Sequence, residues 1–190
     1  MKNRVLVYSA IFCMIFGTGC YKGTNSTLIQ QKGKAQTEIL QLLQQIDSLE
    51  NTGELDFDIS NNFITKAETF SNKYPEAPMA AEFLYRAGLT AMALAKVTDN
   101  TEETDLYCQR ALAIFDDIQK IYPDFNGVKN CILNKGIVYD DILHDYENAE
   151  ILYREFIARY PTDTLAINLE SYLPYLGKSS EEIMLEFGNK

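Results

Sequence analysis

Residues 136–161 read GIVYDDILHDYENAEILYREFIARYP, and the spacing of their apolar side chains decides the fold. Apolar residues recur at intervals of three and four, the period of a helix that buries one face, and not at the two-residue interval of a strand. The polar run His144-Asp145-Tyr146-Glu147-Asn148 breaks the stretch in the middle, and Tyr160-Pro161 closes it. The residue before a proline is pushed out of the α region, so the pair ends a helix. The stretch is therefore a helical hairpin.

The same punctuation occurs three times, at Tyr74-Pro75, Tyr122-Pro123 and Tyr160-Pro161. Counted from each proline, Phe70, Ile118 and Phe156 lie five residues before, Ala67, Phe115 and Tyr153 eight before, and Phe63, Ala111 and Ala149 twelve before. Five residues after lie Ala80, Val128 and Ala166, and thirteen after lie Gly88, Gly136 and Pro174. Small residues in this frame let a neighbouring helix approach, and an aromatic one turn away fills the remaining space. A single helical pair cannot bury its apolar face alone, so several must stack.

The frame resembles the tetratricopeptide repeat (TPR), best at Gly136, Tyr139, Ala149, Tyr153, Phe156 and Pro161. Phe156 stands at the second Ala position, and Gly136 to Ala149 is one residue longer than the consensus. The segment Tyr74-Pro75-Glu76-Ala77-Pro78 through Tyr85 and Gly88 is similar to the variant found in periplasmic TPR proteins. These are the BamD-type lipoproteins of outer-membrane β-barrel assembly and the Tol–Pal-associated coiled-coil/TPR proteins. The resemblance covers about 60–177 and implies an all-α, TPR-like α-solenoid of antiparallel helix pairs, with an added N-terminal helix and a C-terminal capping helix. Helices are expected at about 26–50, 59–73, 76–96, 104–121, 126–142, 146–159, 163–175 and 180–187, with a linker at 51–58 and a solvated loop at 98–105. Thr162 or Asp163 would cap one helix, and Ser179 with Glu182 forms a capping box for the last, expected to seal the stack.

The N-terminus reads as a targeting segment. Lys2 and Arg4 precede Val5–Phe16, twelve residues with only Ser9 polar. That is about 18 Å of helix, too short for a hydrocarbon core of roughly 30 Å and suited to a signal peptide. Gly17-Thr18-Gly19-Cys20 resembles the lipobox of bacterial lipoproteins, with Gly17 where Leu is usual. The resemblance implies cleavage after residue 19 and lipidation of Cys20; an ordinary signal peptide or an uncleaved anchor are the alternatives. Stable anchoring needs more than one acyl chain, which a diacylglyceryl cysteine supplies. The domain plan is thus 1–19 signal peptide, 20–27 anchor and polar tether, 28–58 N-terminal helix and linker, and 59–190 repeats.

Within residues 28–49, Leu28, Ala35, Leu42 and Leu49 with Ile39 and Ile46 could form a coiled-coil seam. Lys32 interrupts it, while Leu40 and Leu43 widen it into a stripe suited to docking on the repeats. A monomer is favoured over a homo-oligomer. Of the four cysteines, Cys108 and Cys131 remain in the body. Folding the hairpin back sets Cys131 near residue 116, ~12 Å along the axis from Cys108. A bridge tolerates only about 7 Å between Cα atoms, so two buried free thiols are expected.

The chain carries 17 Lys+Arg against 27 Asp+Glu, net −10, with one His and no Trp. Loss of residues 1–19 would make the balance −12. This excludes nucleic acid as a main partner and leaves no polybasic run for a membrane surface. Asp140 and His144, four apart, could share a helix face with a metal, but they fall where a hairpin turns, and a solvated turn is expected. No phosphate loop, serine elbow, zinc motif or calcium loop appears, so no catalytic residue, metal or cofactor is expected. By TPR register, a concave groove would be lined by Glu82, Tyr85, Met92, Asn130, Asp140, Asp141, Asn168, Ser171 and Tyr175, and would take an extended segment bearing Lys or Arg. The expected role is a lipid-anchored scaffold for envelope proteins on the periplasmic face of the outer membrane. The alternatives are a BamD-like subunit of β-barrel assembly, with an outer-membrane barrel or its machinery as partner, and a Tol–Pal-type envelope coordinator.

Overall fold

The computed structural model describes residues 21–188; the expected signal peptide and Cys20 lie outside the described residues. The described chain is all-α, with helices α1 (Tyr21–Glu50), α2 (Phe57–Lys73), α3 (Ala80–Val97), α4 (Thr101–Ile121), α5 (Val128–Ile137), α6 (Tyr146–Arg159), α7 (Thr164–Tyr172) and α8 (Ser180–Gly188). A π-turn, Val138–Ile142, continues α5, and a 3-10 turn, Leu173–Tyr175, continues α7. From α1 to α7, each helix packs against the one before it and the one after it.

The three Tyr-Pro pairs act alike. Tyr74, Tyr122 and Tyr160 terminate α2, α4 and α6, each with φ near −130° and ψ near +55°, and each amide donates to the carbonyl four residues back, of Phe70, Ile118 and Phe156. The turns that follow share one hydrogen-bond pattern. Ala77, Phe125 and Asp163 donate to the three tyrosine carbonyls, and Ala80, Val128 and Ala166 donate to Ala77, Phe125 and Asp163. Asp56, Asn100, Asp145 and Asp163 cap α2, α4, α6 and α7 by accepting amides of the first turn.

Every position of the proline-counted frame is buried except Pro174. A Cβ on Gly88 would stand 2.7 Å from the Phe115 ring, and one on Gly136 would stand 2.5 Å from the Tyr153 ring. The two glycines are thus the floor on which the aromatics of the following helix rest. Side-chain bridges join alternate elements: Arg86 of α3 to Asp47 of α1, Lys96 of α3 to Asp141 of the π-turn, Lys129 of α5 to Asp163 at the cap of α7, and Arg110 of α4 to Glu68 of α2.

Several boundaries differ from expectation. Residues 21–27, expected as a tether, are the first turns of α1. α3 begins at Ala80 and not 76, because residues 75–79 form the turn that contains Pro78. The loop expected at 98–105 shrinks to Thr98–Asn100, since Asn100 accepts the amides of Glu102 and Glu103 and starts α4 early. Ile39 and Ile46 of α1 are buried in the core with residues of α2 and α3, so this helix docks on the body. Ser179 and Glu182 form the reciprocal capping box of α8. Met184 and Leu185, which a sealing helix would turn inward, are 72% and 66% exposed, so the described part of α8 does not close the stack. Cys108 and Cys131 are buried free thiols.

Candidate functional site

The residues assigned to the groove divide into three groups. Tyr85 and Asn130 are half-buried on α3 and α5, and Glu82 precedes Tyr85 by three residues on α3. Tyr85 leans on Phe115 and Phe125, with ring centroids 6.2 and 5.8 Å away, and its hydroxyl accepts the amide of Asn134 at 3.3 Å. Asn134 lies one turn beyond Asn130, so the spacing that singled out Asn130 also pointed to it. Asp141 is exposed and pairs with Lys96 at 3.2 Å; Lys96 lies one turn beyond Met92 and was likewise legible only by helical spacing. On α7 and its 3-10 extension, Asn168 and Ser171 are exposed, and Ser171 donates to its own helix at Ile167. Tyr175 is half-buried, with the Lys178 ammonium 5.8 Å from its ring centre.

Two of the nine residues are not groove surface. Met92 is buried in the main core, because it follows Gly88 by one turn and shares its inward face. Asp140 follows Gly136 by one turn and is buried for the same reason. The solvated turn expected here holds for Asp145 and for exposed His144, but not for Asp140.

The Asp140 carboxylate is built in from three sides. Oδ2 accepts the Tyr153 hydroxyl of α6 at 3.0 Å and the Tyr172 hydroxyl of α7 at 2.8 Å. Burial, reinforced by the adjacent Asp140 charge, holds the Tyr153 phenol well above its ordinary range. Burial and the hydrogen bond to Asp140 push Tyr172 up to about 12. The turn itself is a π-turn, in which the Leu143 amide donates to Val138. His144 then takes φ +52°, a left-handed conformation, and its Nδ1 donates to the Asp140 carbonyl at 3.1 Å. The Asp145 amide closes the turn on Tyr139. A carboxylate oxygen shared by two phenols that resist ionisation ties the π-turn, α6 and α7 together.

Comparison with protein-family models, with curated proteins and with solved structures finds no match. Among the described residues, no three His, Cys, Asp or Glu side chains come together as metal ligands. No described helix is long and apolar enough to cross a membrane. Among the described residues, clefts of about 170 to 470 Å³ lie between α1 and α2, between the turns after α2 and α4, among α4, α5 and α6, and between α6 and α7, lined by residues other than the nine. Of the polar residues around Tyr85, Lys96 and Asp141 are exposed, Glu82 is half-buried and Asn134 is buried.

Proposed function

We propose that this protein is a lipid-anchored scaffold of a bacterial envelope, a solenoid of TPR-like helix pairs that holds a partner protein on the face of α3, α5 and α7 and performs no reaction of its own. The observation that carries the reading is the module repeated at Tyr74, Tyr122 and Tyr160. The same helix stop, the same turn and the same buried positions recur, down to the backbone hydrogen bonds. A chain that repeats a two-helix unit builds an extended surface whose partner contacts are spread over several repeats. The lipid anchor is supported by the sequence before α1, where a charged start, an apolar run and small residues lead to Cys20.

The exposed groups on the proposed face suit an extended segment bearing Lys or Arg. Half-buried Tyr85, steadied by the amide of buried Asn134, offers an aromatic ring to such a chain, while Glu82 and Asp141 offer acid. Asp140 contributes no binding charge, being committed to Tyr153 and Tyr172.

A photo-crosslinking amino acid at Asn130, in the full chain expressed in an envelope-bearing host, tests the face; the same group at exposed Ile151 of α6 is the control. Crosslinks from 130 to a basic segment, lost in Glu82→Lys/Asp141→Lys, are the expected result. Equal capture from both positions, or capture indifferent to the charge reversal, overturns the binding face. An N-terminal peptide beginning at Cys20 with acyl chains attached is the expected mass-spectrometric finding, and intact protein recovered wholly from the soluble fraction overturns the anchor.

A further inference from the structure

We propose that the N-terminal overhang of α1 lies on an anionic phospholipid surface. α1 and α2 run antiparallel: Glu38 pairs with Lys66 at 2.8 Å, and Gln31 and Ala35 share a cleft of about 280 Å³ with Lys73 and Tyr74 at the far end of α2. α2 therefore ends beside Gln31, and residues 21–30 project past it, roughly 15 Å of helix at 1.5 Å per residue. The stripe that buries Ile39 and Ile46 continues onto this overhang at Leu28, beyond the end of α2. Leu28 there is 49% exposed and Ile29 is 68% exposed.

Charge identifies the occupant. The first acidic residue of the whole chain is Glu38, and it is already paired with Lys66. Before it, α1 contains Lys22, Lys32 and Lys34, and α2 brings Lys73 to the same end. From residue 38 onward there are 12 cations against 27 acids, a net −15. Counted along the chain these lysines form no polybasic run; packing α1 on α2 adds Lys73 at the level of Gln31. An exposed Leu-Ile pair on the stretch of an acidic protein that carries lysines and no acids matches a surface of negative headgroups over apolar tails. A parallel second copy would instead set lysines against lysines. The overhang begins one residue after Cys20. Its place beside a membrane in the cell rests on the lipid-anchor reading, whereas the lipid contact itself does not.

The chain has no Trp, so Ile29→Trp is a clean reporter, with Ile151→Trp as its control on an exposed site of α6. Protein beginning at Cys20, which contains every described residue, is coupled through that cysteine to a maleimide lipid. Cys108 and Cys131 are buried and do not compete. On vesicles of phosphatidylglycerol and phosphatidylcholine, the emission of Ile29→Trp should move to the blue and resist acrylamide quenching, while Ile151→Trp stays water-like. The shift should be absent on pure phosphatidylcholine, fall in Lys32→Glu/Lys34→Glu, and shrink as added salt shortens the Debye length from about 30 to 8 Å. No shift on the anionic vesicles overturns the proposal, and an equal shift on both vesicles overturns the charge argument. A shift in uncoupled protein without lipid, accompanied by a doubled mass, assigns the overhang to a second copy. Because the coupling is chemical, an unlipidated Cys20 in cells would sink the anchor and leave this result standing.

Discussion

The α3–α4 hairpin and the α5–α6 hairpin are built on the same contact and accommodate extra chain in opposite ways. In both, a glycine of the first helix receives an aromatic ring of the second: Gly88 under Phe115, Gly136 under Tyr153. The first hairpin has 18 and 21 residues in its helices, the second 10 and 14 with the five-residue π-turn between. In the longer hairpin the added residues extend both helices past the contact and leave it untouched. In the shorter one the helix widens for one turn, and Asp140 comes to rest between α6 and α7. Length is accommodated outside the packed contact in one hairpin and within the helix that makes it in the other.

The most damaging test removes the rings. Phe115→Ala should destabilise the protein by about 3–5 kcal/mol, as large aromatic deletions in a packed core do. Chemical denaturation followed by circular dichroism measures it, and a cost near zero would mean that the glycine floor bears no packing. Next comes the difference between neighbours. Asp140→Ala leaves the buried Tyr153 hydroxyl without its acceptor and should cost about 1–3 kcal/mol. Asp141→Ala, which loses only an exposed pair with Lys96, should stay within about 0.5 kcal/mol. Equal effects of the two would erase the distinction between the hairpins.

Smaller effects sharpen the comparison. Gly88→Ala and Gly136→Ala each overpack a ring at a typical cost of about 1–3 kcal/mol, offset by about 1 kcal/mol of helix propensity. Both should therefore come out modestly destabilising in the same denaturation assay; a stabilising outcome would show that the ring can give way. The smallest expected effect is in alkali. Tyr153 and Tyr172 ionise less readily folded than unfolded, so the stability they contribute is complete below their unfolded value of about 10. It is lost as pH rises toward about 12, where Tyr172 titrates in the folded chain. Amide hydrogen exchange should show α5–α7 loosening over that range before α3–α4. The thiols offer a parallel readout. Burial pushes Cys108 up to about 11 and Cys131 to about 12, so alkylation at neutral pH should await unfolding.

How far the fold was legible is clearest at the prolines. Tyr74-Pro75, Tyr122-Pro123 and Tyr160-Pro161 stop three helices through a restriction local to the dipeptide, and any reader of the chain can find them. The framed small and aromatic residues were legible for a related reason, since burial follows from helical spacing alone. The groove was less so. Met92 and Asp140 share the face of the glycines one turn before them, and the register taken from the TPR resemblance placed both on the surface. Lys73 and the lysines of α1 are separated by a linker and a whole helix, and only the docking of α1 on α2 brings Lys73 to the level of Gln31.

The order of apolar residues, prolines and capping side chains by itself determined where helices start and stop and which faces are buried, because those outcomes depend on interactions within a turn or two of chain. Tertiary structure decided the rest: that α5 runs on into a π-turn, that a carboxylate drawn as a binding group lies under two phenols, and that α1 overshoots its neighbour. Each of these depends on the distance between helices, which is fixed by the volumes of side chains far apart in sequence.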